Sequence, residues 1–149
     1  MKKQKIAIKK LDSTAILPVY SSTLAAGADL YSLPSAGDVT IEAGQTAFVH
    51  TGVAMASPDG YVGLICARSG LACKSGLAPA NKVGVIDSDY RGEIMVALHN
   101  HGDTDRTVGG GDRIAQILFV PVEQADFNEV DDLGDTARGD GGFGSTGIK

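Results

Sequence analysis

The chain has 149 residues, 43% of them hydrophobic, which is the length and apolar content of one ordinary domain. Twenty glycines, five prolines and no tryptophan indicate many short segments joined by tight turns, and they disfavour a helix bundle. The formal charge is -5, and Lys and Arg do not cluster after the first ten residues, which argues against a nucleic-acid-binding surface.

The basic start of the chain does not resemble a secretion signal. Lysines interrupt the apolar positions between Ile6 and Leu11, so the continuous apolar core of a signal peptide is missing. No later stretch approaches membrane-spanning length. Cys66 and Cys73 alone support neither a disulfide framework nor a Cys-based zinc site. We therefore expect a reduced, cytoplasmic protein that has no membrane partner.

Alternating or β-branched runs bounded by turn residues predict short strands. These runs are Lys5 to Lys10, Asp38 to Ile41, Thr46 to Met55, Tyr61 to Cys66, Glu93 to His99 and Arg113 to Val122. Turn-rich pieces such as residues 57–60 separate them, and one short helix is predicted from Ser69 to Lys74. The pattern predicts an all-β, antiparallel sandwich or barrel.

The segment from Gly84 to Gly92 carries the most specific local signal. An apolar strand meets the acidic turn Asp87-Ser88-Asp89-Tyr90, and a new strand starts at Glu93, which predicts a β-hairpin. We expect Asp87 at the strand's end with one face toward the core, where partial desolvation and a fixed hydrogen bond make a carboxylate an effective base. Simple capping of the turn by the two aspartates explains the same residues equally well.

Residues 67–72 place a guanidinium, a hydroxyl and a flexible backbone at the predicted helix start. Arg68, Ser69 and Gly70 suit an anion, because free N–H groups point outward there and Arg adds a charged, bidentate donor. Ordinary helix capping is the alternative.

Residues 133–149 are Gly-rich and lack periodicity, so they form a tail on a body of residues 1–132 within a single domain. The tail contains a formal G-x-G-x-x-G, but no strand precedes it and no helix follows, so a dinucleotide site is rejected. No lysine precedes a Ser or Thr as in a P-loop. Residues 138–147 carry one cation, two hydroxyls and one aromatic ring, which suit this strip to closing over a phosphate chain and a base. A disordered tail is the alternative.

Two further segments carry weaker signals. His99 and His101 form an H-x-H, but the chain offers too few additional ligands for a closed zinc site, so we interpret them as exposed strand-end residues. The Gly-rich turn before Arg113 is also ordinary loop chemistry.

Taken in order, five segments resemble the five motifs of the trimeric dUTP pyrophosphatases (dUTPases). They are residues 26–32, 68–72, 81–92, 111–116 and 138–147. The resemblance covers most of the chain from residue 26 onward, and the order of five motifs makes it specific. Ala67 departs from the family's usual Pro. Asp140 occupies a position that is more often small and uncharged, where its charge could weaken triphosphate binding slightly.

The resemblance implies a jelly-roll β-sandwich with a flexible Gly-rich C-terminal tail, assembled as a homotrimer with active sites at subunit interfaces. It implies Mg²⁺-dependent hydrolysis of dUTP to dUMP and pyrophosphate, which limits uracil incorporation into DNA and supplies dUMP for thymidylate synthesis. The dCTP deaminases share the fold, but they are usually longer and their catalytic pattern is not found around residues 81–92. A trimeric module that senses dUTP without turnover is a rival of another class, and a β-sandwich lectin is disfavoured by the scarcity of aromatics.

Matched by position, Asp87 resembles the general base that deprotonates the water attacking the α-phosphorus, and Asp29 resembles the carboxylate that reaches Mg²⁺ through its water shell. The residues implied to hold the phosphates lie in the body and the tail. They are Arg68, Ser69, Gly70 and Gln116 in the body and Arg138, Gly144, Ser145 and Thr146 in the tail.

Specificity is implied to reside in the hairpin. Tyr90 resembles the ring under the deoxyribose, where a 2′-hydroxyl would collide. Uracil is implied to lie between the hairpin strands, with Phe143 stacked over it. Its edge is read by Asn81 and by main-chain groups near Val85, Ile86 and Met95. Tight walls around C5 exclude the thymine methyl group, and cytosine would leave buried polar groups unpaired.

Overall fold

Turns divide the described part of the chain, residues 3–142 of a computed structural model, into ten short strands and one α-helix. The first five strands are β1 (Ala7–Lys10), β2 (Ala28–Tyr31), β3 (Val39–Ile41), β4 (Thr46–Ala56) and β5 (Tyr61–Cys66). Helix α1 (Ser69–Ser75) is followed by β6 (Leu77–Pro79), β7 (Gly84–Ile86), β8 (Glu93–Asn100), β9 (Arg106–Val108) and β10 (Arg113–Pro121).

Eight of these strands form two four-stranded antiparallel sheets. The first sheet has the order β1-β4-β8-β6, and the second has the order β2-β10-β5-β7. Strands β3 and β9 pair separately as a two-stranded ribbon. The chain therefore forms a jelly-roll-like β-sandwich, which confirms the predicted fold class.

The core lies between the two sheets, and the period-2 alternation of the strands builds it. Along β8, Ile94, Val96 and Leu98 are buried while the residues between them face outward. Leu30 and Ile117 are fully buried from the second sheet. Each such side chain contributes about 1.5–3 kcal/mol when it leaves water.

The predicted strands are all present, but three short strands were missed. Strand β5 has the predicted bounds, and α1 extends one residue beyond its prediction. The strands Ala28–Tyr31, Leu77–Pro79 and Arg106–Val108 were missed. These three segments show no clear alternation over their three or four residues, so their pairing partners in the sheets define them.

The predicted β-hairpin of residues 84–92 is wrong in its pairing. Strand β7 pairs with β5 in the second sheet, whereas β8 pairs with β4 and β6 in the first sheet. The acidic turn therefore crosses from one sheet to the other. Apolar residues at both ends make this crossing favourable, because Ile86 and Ile94 each enter the shared core.

Beyond Pro121 the chain leaves the sandwich. The backbone N–H of Val122 still donates to Gly60, but in residues 123–142 every hydrogen bond that the structure describes is local. We call residues 123–142 the arm. Phe127 and Leu133 are 94% and 93% exposed. Large apolar side chains so exposed are unusual on a folded surface and mark a segment that lacks its packing partner.

No helix within residues 3–142 is long and apolar enough to cross a membrane.

Glu93 of β8 links this strand to β4 at the point where the register of their pairing shifts. Its Oε1 accepts hydrogen bonds from the backbone N–H groups of Gly52 at 2.8 Å and Thr51 at 3.2 Å, and its Oε2 lies 2.8 Å from His50 Nδ1. Gly52 has a φ of 69° at this shift, a conformation that glycine adopts without strain. Burial raises the pKa of Glu93, but the His50, Gly52 and Thr51 contacts outweigh it and lower the pKa overall.

We expect Glu93→Gln to reduce the free energy of unfolding by about 1–2 kcal/mol at pH 7, because the charged acceptor is lost. A carboxyl whose folded pKa is lowered stabilises the fold above its unfolded pKa and loses that effect as pH falls through the folded value. The difference from wild type should therefore shrink toward pH 3 in urea unfolding at one protein concentration. Glu129→Gln in the exposed arm is the control. An equal difference at both pH values would contradict the assignment.

Candidate functional site

Polar side chains from three strands meet on the outer face of the second sheet. Gln116 of β10 lies opposite Asp29 of β2 on one side and opposite Cys66 of β5 on the other. Side chains of directly opposed residues point to the same face of a sheet. The intervening residues Ala115 and Ile117 point into the core, so the alternation of β10 presents Gln116 outward.

Asp29 is the centre of a hydrogen-bonded ion-pair network. Its Oδ1 accepts from Arg68 Nε at 2.8 Å, and its Oδ2 accepts from Ser21 Oγ at 2.5 Å and Arg113 Nη1 at 3.4 Å. The Asp29 side chain is only 10% exposed. Burial raises the pKa of Asp29, but the Ser21 hydrogen bond and the charges of Arg68 and Arg113 outweigh it. The pKa is lowered overall, so the carboxylate stays ionised.

Gln116 holds the loop that precedes α1. Its Nε2 donates to the carbonyl oxygen of Ala67 at 2.9 Å. A Cβ on Gly27 would lie 2.5 Å from Gln116 Oε1, so any other residue there would force the Gln116 side chain to move. Arg68 Nη1 also donates to the carbonyl oxygen of Arg113 at 3.2 Å. We call Asp29, Arg68, Arg113 and Gln116 the Asp29 cluster.

The start of α1 lies exposed beside this cluster. Arg68 occupies the N-cap position without a side-chain cap, and Ser69 and Gly70 are exposed. A Cβ on Gly70 would meet nothing within 4 Å, so the space over the backbone is open. The structure thus brings Arg68, Gln116 and Asp29 together, and it leaves the Ser69-Gly70 segment that follows Arg68 exposed.

A second group of predicted residues lines a cleft of about 140 Å³ between β7 and β8. Asn81, Val85, Ile86 and Met95 line it, together with Phe48 of β4. We call it the Asn81 cleft. A Cβ on Gly84 would approach Asn81 Nδ2 to 3.4 Å and Ile65 Cβ to 3.2 Å, so glycine permits this close packing.

The turn before the cleft has an unusual backbone. Lys82 has a φ of 66°, in the left-handed region that non-glycine residues rarely adopt. Lys82 N–H donates to Pro79 O at 3.0 Å and Val83 N–H donates to Asn81 O at 2.7 Å, so two consecutive tight turns hold Asn81 in place. Such strain is often found at binding sites, where it fixes one geometry.

The main-chain edges of β7 and β8 that face the cleft are not used for strand pairing. Val85 and Ile86 pair with β5 on their other side, and Met95 pairs with His50 of β4 on its other side. Strand β6 reaches β8 only from Leu98 onward, apart from one bond to Ala97. Backbone donors and acceptors are therefore available for a planar polar ligand.

The predicted environment of Asp87 is wrong for the single chain. Ile86 faces the core, so the alternation turns Asp87 outward, where it is exposed. No hydrogen bond to its carboxylate is found within residues 3–142, although its main-chain oxygen accepts from Tyr90 N–H at 3.2 Å. Tyr90 Oη donates to Glu93 O at 3.0 Å, and the ring lies where a Cβ on Gly92 would stand.

The Asp29 cluster and Asp87 are far apart within one chain. Continued by one residue, the β7 register brings Asp87 opposite Val62 of β5, which pairs with Val120 of β10. Gln116 lies four residues from Val120 and two strands across from Asp87. The usual rise and strand spacing make this separation roughly 16 Å.

Arg138 of the tail contacts neither the Asp29 cluster nor the Asn81 cleft. Arg138 is exposed, and its Nε donates to Gly141 O at 2.8 Å within the arm. Phe143, Gly144, Ser145 and Thr146 lie outside the described residues.

Sequence reasoning missed three residues that the structure brings to these sites. Phe48 is 66% exposed at the Asn81 cleft, and Arg113 and Ser21 bind Asp29. Side chains alternate between the two faces of β4, and Phe48 lies on the face away from the core. The sequence alone could therefore have indicated an outward-facing aromatic ring. Nothing in the local sequence of Ser21 indicates its contact, which depends on the tertiary fold.

Asp29 is the carboxylate of the Asp29 cluster that could approach a metal ion. Among residues 3–142, no group of three His, Cys, Asp or Glu side chains could hold a metal ion. Both oxygens of Asp29 already accept hydrogen bonds, so the geometry fits contact with a metal through water better than direct ligation. His99 and His101 pack edge to face with ring centroids 4.4 Å apart, and no third ligand of the described chain joins them.

Comparison with known proteins finds relatives that match nearly the whole chain. A family model described as dUTPase matches residues 13–147. A deoxyuridine 5'-triphosphate nucleotidohydrolase of Syntrophotalea carbinolica is 48% identical over 99% of this chain and 100% of the relative. Another, from Desulfitobacterium hafniense, is 51% identical over 98% of this chain and 97% of the relative.

Solved structures agree with the fold. The dUTPase of Staphylococcus bacteriophage 80alpha with dUPNHPP has a TM-score of 0.88 at 28% identity, covering 98% of this chain and 100% of that chain. A mutant dUTPase of phage phi11 of S. aureus, described as revealing the coordination of a structural Mg(II) ion, has a TM-score of 0.76 at 26% identity, covering 87% and 98%. The family match, the curated relatives and the shared jelly-roll together establish that this chain belongs to the dUTPase family.

Proposed function

We propose that this dUTPase converts dUTP to dUMP and pyrophosphate by having Asp87 deprotonate a water that attacks the α-phosphorus. Family membership supports dUTP hydrolysis. The observation that carries the proposed route is the position of Asp87, which directly follows β7 at one wall of the Asn81 cleft. A nucleotide whose uracil occupies that cleft would have its phosphates near the Asp87 carboxylate.

The Asn81 cleft is the proposed uracil site. Uracil presents two carbonyl acceptors and one N–H donor on its edge, and the cleft offers the Asn81 amide and the free main-chain edges at Val85, Ile86 and Met95. Cytosine would present the opposite pattern on part of that edge and leave polar groups unpaired. Phe48 adds an apolar wall that sequence reasoning did not include, and Phe143 from the tail would stack over the base.

The Asp29 cluster is the proposed phosphate site. Arg68 and Gln116, with the open backbone at Ser69 and Gly70, would hold the phosphates from the body. Arg138, Ser145 and Thr146 would contact them from the tail, with Gly144 allowing close approach. The positive charges of Arg68 and Arg138 at this site would offset the formal charge of -5 on the whole chain.

Mg²⁺, when bound, would neutralise charge on the triphosphate and so favour departure of pyrophosphate. Asp29 would orient the water shell of the ion, since Arg68, Ser21 and Arg113 fix its carboxylate in one position. A carboxylate with lowered pKa keeps its negative charge for this task across neutral pH.

A homotrimer with shared active sites would resolve the separation of the two halves. A general base must lie within hydrogen-bond reach of its water, so Asp87 needs phosphate ligands from a second copy. The exposure of Phe127 and Leu133 in the arm supports a contribution from a further copy, because these side chains are almost uncovered by the rest of residues 3–142. Within each chain, residues 1–132 would be the body and residues 133–149 the lid.

In the cell this activity would limit uracil incorporation into DNA and supply dUMP for thymidylate synthesis. We expect the enzyme to act in the cytoplasm.

We expect Asp87→Asn to bind dUTP but to lose about 10²- to 10⁴-fold in kcat, because the amide cannot accept the proton of the attacking water. Asp89→Asn removes a carboxylate from the same exposed turn and should stay within a few-fold of wild type. Release of pyrophosphate from dUTP, dCTP, dTTP and UTP measures both the turnover rate and the nucleobase specificity. The proposal would be contradicted if Asp87→Asn turned over dUTP within tenfold of wild type, or if the wild-type enzyme preferred dCTP to dUTP.

We expect Tyr90→Ala to relax sugar selection, because removal of the ring opens space for a 2′-hydroxyl. The ratio of kcat/KM for dUTP to that for UTP should fall roughly 10- to 100-fold. Tyr90→Phe retains the ring and loses only the hydrogen bond to Glu93, so its ratio should remain near wild type. An unchanged ratio in Tyr90→Ala would place sugar discrimination at another residue.

A further inference from the structure

The turn between β7 and β8 carries both Asp87 and Tyr90. Tyr90 N–H donates to Asp87 O at 3.2 Å, which closes the turn over residues 87–90. The carboxylate of Asp87 is exposed and accepts no hydrogen bond from residues 3–142. No side-chain contact of its own therefore fixes its direction, which depends on how firmly the backbone of this turn is held.

Arg91 holds this backbone from the end of the turn. Its Nη1 donates to Ser88 O at 2.6 Å and to Tyr90 O at 2.9 Å. No backbone N–H of residues 3–142 donates to either of these carbonyl oxygens. One guanidinium nitrogen thus joins two carbonyl groups of the turn, and hydrogen bonds from a charged donor are stronger than those between neutral groups.

The Tyr90 ring holds the side of the turn that leads into β8. Its Oη donates to Glu93 O at 3.0 Å, and a Cβ on Gly92 would lie 2.6 Å from the ring carbon Cζ. Glycine at position 92 therefore lets the ring pass close to the backbone. Tyr90 and Arg91 together close the turn, and the proposed function assigns a role to Tyr90 alone.

Arg91 binds the main chain and leaves the carboxylates of the turn without an ion pair. No salt bridge of residues 3–142 joins its guanidinium to Asp87 or Asp89. A direct ion pair would favour the ionised form of Asp87 and make it a weaker base. Attachment through carbonyl groups holds the turn in place and avoids that effect.

We propose that Arg91 is a positioning residue for the hydrolysis, which fixes the turn through Ser88 O and Tyr90 O and so aims the Asp87 carboxylate at the attacking water. This inference rests on the proposed role of Asp87 as the base. The phosphates are proposed to lie on a second copy, so the direction of Asp87 decides whether the two halves of the site meet. A displacement of about 1 Å at a reacting group lowers a rate by up to about 10²-fold.

The test measures kcat and KM for dUTP, and the Kd of a non-hydrolysable dUTP analogue with Mg²⁺, in Arg91 variants of the full chain. We expect Arg91→Met to lower kcat about tenfold, because an unbranched side chain remains but every donor is lost, and to leave the Kd within about threefold of wild type. Arg91→Lys keeps a charged donor without the planar guanidinium and should be intermediate. Lys10→Met on exposed β1 is the matched control and should behave as wild type.

The double variant Asp87→Asn with Arg91→Met shows the route by which Arg91 acts. If Arg91 acts through Asp87, the double variant should keep the residual kcat of Asp87→Asn, because no base is left to position. A further loss of about tenfold in the double variant would mean that Arg91 acts independently of Asp87, which would overturn the inference.

Three results with the single variant would also overturn it. An unchanged kcat in Arg91→Met would show that the turn holds Asp87 without Arg91. A weaker Kd with an unchanged kcat would make Arg91 a substrate-binding residue. A lower kcat together with a smaller assembly in native mass spectrometry would make it a contact between subunits. If circular dichroism shows that Arg91→Met does not fold, Arg91→Lys provides the same comparison.

The failure of this inference can be told apart from the failure of the proposed function. If Asp87→Asn alone stays active, the proposed function fails. If Asp87→Asn loses activity and Arg91→Met does not, only the role of Arg91 fails.

Discussion

The ion pair between Asp29 and Arg68 is the interaction on which the phosphate side of the proposed active site depends. It joins β2 to the loop before α1, and Gln116 attaches the same loop to β10 through Ala67. A nearly buried carboxylate is expensive to desolvate, so it is retained only with close, well-aligned partners. Arg68, Ser21 and Arg113 supply them, and the resulting geometry is fixed before any ligand arrives.

The sequence predicted the fold class and the longer strands because their alternation is visible in the residues themselves. It failed at the Gly84 to Gly92 segment, since a turn flanked by two strands fits a hairpin and a sheet-to-sheet crossing equally well. Only the partners β5 and β4 distinguish the two. The contacts of Ser21 and Phe48 were missed for the same reason, because both depend on strands far away in the sequence.

The crossing of residues 84–92 between the two sheets leaves main-chain edges free that a hairpin would use. A closed hairpin would use the main-chain edges at Val85 and Met95 for its own pairing. The splayed strands leave those edges free and open the Asn81 cleft between them. The motif resemblance implied a set of site residues, but it could not show that the described ones separate into two groups on one chain. That separation is the physical basis for proposing a site shared between copies.

Complementation between two inactive chains tests the shared site most directly. Arg68→Gln chains retain Asp87, and Asp87→Asn chains retain the Asp29 cluster. The two are mixed under conditions where native mass spectrometry shows subunit exchange and circular dichroism shows that both are folded. If Asp87 and Arg68 act from different copies, about a quarter of the sites in an equal mixture are intact and dUTP hydrolysis returns to about that fraction of wild type. Exchanged mixtures that stay as inactive as the separate chains would contradict the account, because each site would then be built within one chain.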